Sequence, residues 1–373
     1  MWRVPLSDIA YDAAERQAVL GVLESRWLSM GESVRVFEER YAAMAGTRHA
    51  VALANCTAAL HLALLGLDIG PGDEVVCPSI TFVAGANTVL AVGAVPVFAD
   101  IHAPDTPTVD SRAIERCLTT RTKAIQVMHY AGFVCDMEPI MALAAERGIP
   151  VVEDCAHSLT AHPQCGIAGC HSFFPNKNMT TGEGGMLTTN DDALAARVRK
   201  MRSHGMTTLT WDRHKGHAFS YDVDSFGLNY RMDELRAALG LAQLGKLEDL
   251  NARRAALAAQ YRDRLAGVDG VELPFAGRDK GSWHIFPVLV QAASRRGLME
   301  ALREAGVQTS IHYPPAHRFS LYRELFPEAP ALPLAEEFGN RELTLPLHPG
   351  MRGEDVAYVC EAIGRALDKG ETA

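Results

Sequence analysis

Lys177 stands in a turn whose flanking residues are unusually specific, and its amine is a candidate nucleophile. The stretch is HSFFPNKNMTTGEGG, in which residues 171–174 and 186–189 are predicted to be strands on either side of the turn. A lysine held between two buried strands is poorly hydrated, which lowers its pKa and leaves more of the amine neutral. A neutral amine forms a Schiff base with an aldehyde such as pyridoxal 5′-phosphate (PLP). The alternative is an ordinary solvated lysine in a surface turn.

An acid and a histidine follow a second predicted strand, residues 149–155. Asp154 lies near the C-terminal end of that strand, where a partly buried carboxylate needs a cationic or N–H partner. A protonated pyridine nitrogen would be such a partner, although a helix N-cap aspartate is the simpler interpretation. His157 is three residues further on and is a candidate for the same site, but a lone histidine is more often packed or solvated.

Three other positions offer contacts to a flat, phosphorylated ligand. Thr57 follows the predicted strand 49–53 and can cap the next helix, whose first N–H groups can hold a phosphate. Ser172 lies five positions before Lys177 and offers a hydroxyl to the same group. Phe82 follows a strand end, where ligands gather in open α/β sheets, so its ring either stacks on a cofactor or packs in the core.

The composition excludes several classes of protein. The chain has 373 residues with a net charge of −9 and no block of basic residues, which makes nucleic acid an unexpected partner. It has no apolar run of about 18 residues for a membrane span, and its first ten residues lack the apolar core of a signal peptide. The eight cysteines form no CxxC pair, so neither a metal site nor a disulfide is predicted, and a cytoplasmic location is expected.

Short apolar segments alternate with helical segments through the first half of the chain. The predicted strands in this half are 49–53, 73–78, 95–100, 124–130 and 149–155. This alternation predicts an α/β fold with a mainly parallel, doubly wound sheet flanked by helices. Strands at 284–290 and 309–313, with helices at 295–306 and 353–367, predict a smaller α/β unit. We therefore expect a large domain over residues 1–250, including the N-terminal helical segment, and a small domain over residues 251–373.

Five motifs in this order resemble the DegT/StrS-type sugar aminotransferases, which are PLP enzymes with the aspartate-aminotransferase type of fold. The motifs are NCTAALHLAL, PSITFVAGAN, VVEDCAHS, SFFPNKNMTTGEGG and GLNYRMDELRAA. The resemblance covers nearly the whole chain, from WLSMG to LPLHPG.

The resemblance implies a role for each matching position. Lys177 would carry the cofactor as a Schiff base and Asp154 would pair with the pyridinium nitrogen. The other matches are cofactor contacts: His157 near the ring and its O3′, Phe82 stacked on the ring, Ser172 and Thr57 on the phosphate, Ala58 through its N–H, and Asn229 on the phosphate of the neighbouring subunit. The resemblance thus implies a homodimer whose active site is shared.

Two features depart from the family pattern. The first is Cys56, which stands where many relatives have glycine. The second is the short segment 162–170 together with His171, which replaces the usual aromatic residue before Ser172. We expect the second departure to change the substrate side of the pocket.

The resemblance also implies a reaction, in which an amino group passes from glutamate or glutamine to a keto-sugar in amino-sugar biosynthesis. The acceptor would be linked to a nucleotide, or would be a keto-cyclitol. The alternatives are a PLP-binding sugar dehydratase, in whose relatives histidine replaces the lysine, and a regulatory homologue without turnover; Lys177 and Asp154 disfavour these. A nicotinamide dehydrogenase is disfavoured because no GxGxxG motif follows the first strand.

Overall fold

The computed structural model describes residues 2–159, 163–208, 220–278 and 280–370. The elements up to the turn of Lys177 are α1 (Ala13–Ser25), α2 (Glu32–Ala45), β1 (His49–Leu53), α3 (Cys56–Gly66), β2 (Glu74–Pro78), α4 (Ala84–Ala91), β3 (Val95–Ala99), α5 (Ser111–Glu115), β4 (Thr122–Met128), α6 (Met137–Arg147), β5 (Val151–Asp154) and β6 (Ala168–Ser172). They are followed by β7 (Gly185–Thr189), α7 (Asp192–Met201), α8 (Glu234–Leu244), α9 (Leu247–Leu265), β8 (Val271–Glu272), β9 (Phe286–Val290), α10 (Ala292–Glu304), α11 (Ser320–Leu325), α12 (Pro333–Arg341), β10 (Glu342–Leu345) and α13 (Gly353–Gly370).

Seven strands form the main sheet in the order β1-β7-β6-β5-β4-β2-β3. The pairs from β6 through β3 are parallel, whereas β7 runs antiparallel to both of its neighbours. Strands β2, β5, β6 and β7 are buried along their whole length, as expected for a sheet with helices on both faces. The predicted fold class, an α/β fold with a mainly parallel sheet flanked by helices, is confirmed.

The sheet gathers the candidate residues at one edge. Because β1, β2, β5 and β6 run in the same direction, their carboxyl ends lie at that edge, which is where ligands bind in open α/β sheets. Asp154 and Ser172 are the last residues of β5 and β6. The helix α3 begins three residues after β1, and Phe82 lies four residues after β2.

Three local predictions are wrong. The strand predicted at 171–174 ends at Ser172, because the chain then turns and Lys177 N donates to Phe174 O at 3.0 Å. Asn55, not Thr57, caps α3, since its Oδ1 accepts a hydrogen bond from Ala58 N at 2.8 Å. Residues 309–313 are not a strand.

The segment 309–313 instead pairs with β10 at a single point, an antiparallel bridge between Ser310 and Thr344. It then leaves the sheet, and its last residues reach the cavity described below. The pattern TSIHY is typical of a strand, but beyond Ser310 its hydrogen bonds involve side chains: His312 Nδ1 lies 2.9 Å from Thr344 Oγ1, and Tyr313 Oη lies 2.9 Å from His157 Nε2.

The C-terminal part contains the three-stranded antiparallel sheet β10-β9-β8. One buried apolar cluster joins residues of both parts of the chain, among them Val75 and Val288. Helix α9 runs without a break across residue 250, so the division into domains 1–250 and 251–373 stays a prediction. Among the described residues, no helix is both long enough and apolar enough to cross a bilayer.

Candidate active site

A cavity of about 340 Å³ opens at the carboxyl edge of the main sheet. It brings together six of the eight predicted site residues: Thr57, Phe82, Asp154, His157, Ser172 and Lys177. They come from four separate segments of the chain, which the parallel strands align at one edge. The prediction of a single site from these scattered residues thus has a geometric basis.

The Lys177 amine sits in the turn between β6 and β7 and is half-buried. Burial lowers the pKa of Lys177 to about 8, although the nearby negative charge of Asp154 opposes this shift. Nζ of Lys177 lies 3.3 Å from Nε2 of His284. A substantial fraction of the amine is therefore neutral at physiological pH, as a nucleophile or a general base requires.

The Asp154 carboxylate is 6% exposed at the end of β5. Burial raises the pKa of Asp154, while the hydrogen bond from Ala156 N to Oδ1 at 3.0 Å and the charges of Lys177 and His129 lower it. In the described part of the chain no other hydrogen bond reaches this carboxylate. Its environment is one that a cationic ligand group would complete.

The imidazole of His157 is neutral and fixed by two hydrogen bonds. Nδ1 accepts from Ala131 N at 3.3 Å, so the proton lies on Nε2, which is 2.9 Å from Oη of Tyr313. Burial and the charge of Lys177 lower the pKa of His157 far below its usual range. The Phe82 ring is 56% exposed and lies 6.0 Å from the Tyr313 ring, so it covers the cavity rather than packing in the core.

Thr57, in the first turn of α3, and Ser172, the last residue of β6, both line the cavity and carry hydroxyl groups. The first N–H groups of a helix have no partner within the helix and favour an anion. Ala58 N is an exception here, because it already donates to Asn55 Oδ1, and Ala58 does not line the cavity. Asn229 is exposed and does not line the cavity of its own chain either.

Several residues that line the cavity or contact the Lys177 amine were not predicted from the sequence. His312 and Tyr313 line the cavity, Asn55 caps α3 beside it, and His284 contacts Lys177 Nζ. Burial lowers the pKa of His312 to about 4, so it is neutral. Asn55 was recognisable as an N-cap residue directly before a helix. The two histidines lie in segments interpreted only as strands.

The two departures from the family pattern have different outcomes. Cys56 lines the cavity, and burial raises the pKa of its thiol well above the usual range. His171 does not line the cavity: its Nε2 lies 3.0 Å from Thr188 Oγ1 and its ring packs edge-on against Tyr41. Since neighbouring residues of a strand point to opposite faces, His171 faces away from Ser172. The expectation that His171 changes the substrate side of the pocket is wrong.

His129, Glu153 and Cys155 form a buried group near the end of β5, with ligand-type atoms within 4.8 Å of one another. Glu153 Oε2 lies 2.8 Å from His129 Nε2, and its Oε1 accepts from Cys165 N at 2.8 Å. These hydrogen bonds pair the polar atoms of His129 and Glu153. They form a network that stabilises the end of β5, where Asp154 lies.

The groups of the cavity fit a flat aldehyde with a basic ring nitrogen and a phosphate. The amine of Lys177, in its neutral form, can react with the aldehyde. The buried carboxylate of Asp154 can pair with a protonated ring nitrogen. The hydroxyls of Thr57 and Ser172 can bind the phosphate near the start of α3. PLP has these three features.

Comparisons with known proteins agree with this chemistry. The model of the DegT/DnrJ/EryC1/StrS aminotransferase family matches residues 10–364. The chain is 41% identical over 370 residues to the spore coat polysaccharide biosynthesis protein SpsC of Bacillus subtilis (strain 168), covering 95% of each.

Solved structures show the same similarity. Helicobacter pylori PseC, an aminotransferase involved in the biosynthesis of pseudoaminic acid, is 31% identical with a TM-score of 0.91, covering 98% of this chain and 99% of that one. NtdA from Bacillus subtilis with bound cofactor PMP is 28% identical with a TM-score of 0.87, covering 99% of this chain and 87% of that one. The chain therefore belongs to the DegT/DnrJ/EryC1/StrS aminotransferase family, and its cofactor is PLP.

Proposed function

We propose that the protein transfers an amino group from glutamate or glutamine to a keto-sugar, linked to a nucleotide, in amino-sugar biosynthesis. The observation that carries this proposal is the pairing, in one cavity, of a lysine amine with a lowered pKa and a buried carboxylate that has no cationic partner in hydrogen-bond contact among the described residues. The relatives named for polysaccharide and pseudoaminic acid biosynthesis support a sugar as acceptor. A keto-cyclitol is the alternative acceptor.

Lys177 and Asp154 have complementary roles in this proposal. When bound, PLP supplies an aldehyde that binds the amino group and a ring that withdraws electrons from the carbon bearing it. The Lys177 amine holds the cofactor covalently between turnovers, and once displaced it takes a proton from the donor's Cα. Asp154 keeps the proton on the ring nitrogen, since a carboxylate there stabilises the charged form.

The remaining cavity residues orient the cofactor. Phe82 would cover one face of the ring, and His157, which is held by hydrogen bonds to Ala131 and Tyr313, would lie beside it. Ser172 and Thr57 would hold the phosphate through their hydroxyl groups. Ala58 contributes its N–H only if the hydrogen bond from that N–H to Asn55 Oδ1 is shared or given up.

An absorbance scan tests the proposed donor and acceptor. We expect glutamate or glutamine, added to the PLP-loaded protein, to shift its absorption to that of the amine form, and a nucleotide-linked keto-sugar to reverse the shift. The same donor added to the Lys177→Met variant is the control and is expected to produce the shift at least 10³-fold more slowly. If neither glutamate nor glutamine produced the shift, the donor assignment would be contradicted. If a keto-cyclitol reversed the shift and no keto-sugar nucleotide did, the nucleotide-sugar assignment would be contradicted.

We further propose that the active form is a homodimer in which Asn229 binds the phosphate in the neighbouring subunit. Asn229 is exposed, and so are the apolar side chains of Tyr221, Val223 and Phe226 just before it, at 54%, 55% and 67%. Exposed apolar clusters of this kind mark interaction sites. The cytoplasmic location expected from the sequence stays a prediction.

Mixed dimers test the shared site. Lys177→Met and Asn229→Asp subunits are each expected to be nearly inactive alone, the second because its added charge repels the phosphate. Co-expressed, they should regain about a quarter of the parent activity, since about half of the dimers are mixed and each mixed dimer has one complete site. If Asn229 acted in its own chain, the mixed dimers would stay inactive.

A further inference from the structure

Among the described residues, the Lys177 amine has a hydrogen-bond contact with a histidine that lies 107 positions further along the chain. Nζ of Lys177 and Nε2 of His284 are 3.3 Å apart. His284 is 2% exposed, and its Nδ1 has no hydrogen-bond partner among the described residues. Buried polar side chains usually have hydrogen-bond partners. The contact of Nε2 with the Lys177 amine is the partner that the described residues give to the His284 side chain.

The backbone of His284 is held by hydrogen bonds to two other segments of the chain. Its N–H donates to Ala131 O at 3.1 Å, and its carbonyl accepts from Arg254 at 3.4 Å. Two residues earlier, Ser282 Oγ donates to His157 O at 2.6 Å, and Ser282 O accepts from Asn178 Nδ2 at 2.6 Å. The segment is therefore tied to the residue next to Lys177.

The fit of this segment is too close for a side chain at position 132. Gly132 has a φ of +96°, and a Cβ on it would lie 2.4 Å from Ser282 Oγ and 2.9 Å from His157 O. The packing leaves the segment little room to move, so the imidazole of His284 has a fixed place beside the amine.

The imidazole is neutral when it contacts the amine. Burial, together with the positive charge of Lys177, lowers the pKa of His284 far below its usual range. A neutral imidazole nitrogen either accepts from the amine or donates to it, according to the tautomer. Neither tautomer of His284 carries a negative charge. The contact therefore fixes Nζ but does not stabilise the ammonium form of Lys177 as a carboxylate would.

We propose that His284 is a positioning residue for Lys177, holding the amine in the cavity whenever it is not bonded to the cofactor. This inference rests on the proposed role of Lys177. A free lysine side chain samples many rotamers and loses this conformational entropy when it forms a bond. A partner that fixes Nζ beforehand removes the entropy loss from the bond-forming step. His284 therefore acts at the two stages in which the amine is free: before the amine captures PLP, and after the donor displaces it.

The rate of covalent capture tests this proposal. Cofactor-free protein is mixed with PLP and quenched with borohydride at intervals, and the labelled Lys177 peptide is measured by mass spectrometry. We expect His284→Phe, which keeps a ring but loses the polar atoms, to capture PLP about tenfold more slowly, and His284→Gln, which restores a polar atom near Nε2, to stay within about threefold of the parent. His348→Phe is the matched control, because His348 is 4% exposed and lies outside the cavity.

The affinity for pyridoxamine 5′-phosphate separates positioning from damage to the cavity. This form carries an amine in place of the aldehyde and makes no bond to lysine, so its affinity should be unchanged in His284→Phe. Equal capture rates in the parent and His284→Phe, or an affinity for pyridoxamine 5′-phosphate that falls as much as the capture rate, would overturn the proposal. If the Phe variant does not fold, His284→Leu carries the same comparison. Labelling of the parent at a residue other than Lys177 would instead overturn the proposed function.

Discussion

Lys177→Met is expected to lower turnover by about 10⁴-fold or more, because the change removes the covalent anchor and the group that moves the proton. Methionine has a similar length and an apolar end, so the half-buried turn between β6 and β7 should keep its structure. Turnover is measured with the best donor and acceptor from the absorbance scan. Borohydride reduction of the PLP-loaded variant should leave no covalent label, whereas the parent is labelled at Lys177.

Two controls make the loss specific to this amine. Lys123→Met replaces an exposed lysine on β4 and should leave turnover and labelling unchanged. Lys177→Arg keeps a cation at the site but should be as inactive as Lys177→Met, since a guanidinium neither forms the covalent link nor gives up its proton. Turnover of Lys177→Met within tenfold of the parent would remove Lys177 from the mechanism.

The pH dependence of Lys177 reactivity follows from its lowered pKa. In the cofactor-free protein, the amine loses its proton around pH 8, so its acylation rate should rise up to about pH 8 and then level off. In the His284→Phe variant the plateau should persist, because burial is the main cause of the shift. An acylation rate that still rises in proportion to hydroxide at pH 10 would show that the amine is solvated.

Lys177, Asp154 and Ser172 could be placed from the sequence because their positions depend on short-range features. Each lies at or just after the end of a short apolar strand, and the parallel order of β1, β2, β5 and β6 brings such ends to one edge. The chemistry of each residue type is also local: an amine, a carboxylate and a hydroxyl offer the same groups in any fold. Their assembly into one cavity therefore needed only the fold class.

His284, His312 and Tyr313 could not be placed in the same way. They come from segments in the C-terminal third, whose apolar flanks are typical of strands, and they reach the cavity only through the packing of that part on the main sheet. The contact of His284 with Lys177 depends on the close approach of Gly132 to Ser282, which no sequence period reveals. The hydrogen bond of Tyr313 to His157 likewise joins residues 156 positions apart.

The errors at Thr57 and His171 arose at the scale of one or two residues. Asn55 and Thr57 are both good capping residues, and the helix begins directly after the first of them, so Thr57 lies in its first turn and lines the cavity. His171 and Ser172 are neighbours on β6, and a shift of one residue exchanges the cavity face for the core face. The motif fixes which residues are present, whereas the register of the strand decides which of them reach the ligand.

Asp154→Asn is expected to lower turnover by about 10²- to 10⁴-fold while the protein still binds PLP. Asparagine has the same shape and can keep the hydrogen bond from Ala156 N, but it cannot hold a proton on the ring nitrogen of the cofactor. Removing one partner of a buried ion pair costs about 3–5 kcal/mol, which corresponds to this loss of rate when it is felt in the transition state. The measurements are kcat with donor and acceptor, and the rate constant of the first half-reaction with the donor alone, which is monitored by the absorbance of the amine form. Near-normal kcat would exclude Asp154 from the mechanism.

The stability of the cofactor-free variant distinguishes a catalytic role from a structural one. Because burial raises the pKa of Asp154 in the folded protein, its ionised form is penalised, and the parent loses stability as the pH rises through that pKa. Asp154→Asn lacks this penalty, so without cofactor it should be at least as stable as the parent at neutral pH, with the difference shrinking as the pH falls. Asp191→Asn is the matched control: Asp191 also follows a strand and accepts a backbone hydrogen bond, from Leu194 N at 2.8 Å, but it does not line the cavity, so kcat should not change. A cofactor-free Asp154→Asn protein that unfolds more easily than the parent would show that the carboxylate supports the fold and not the cofactor.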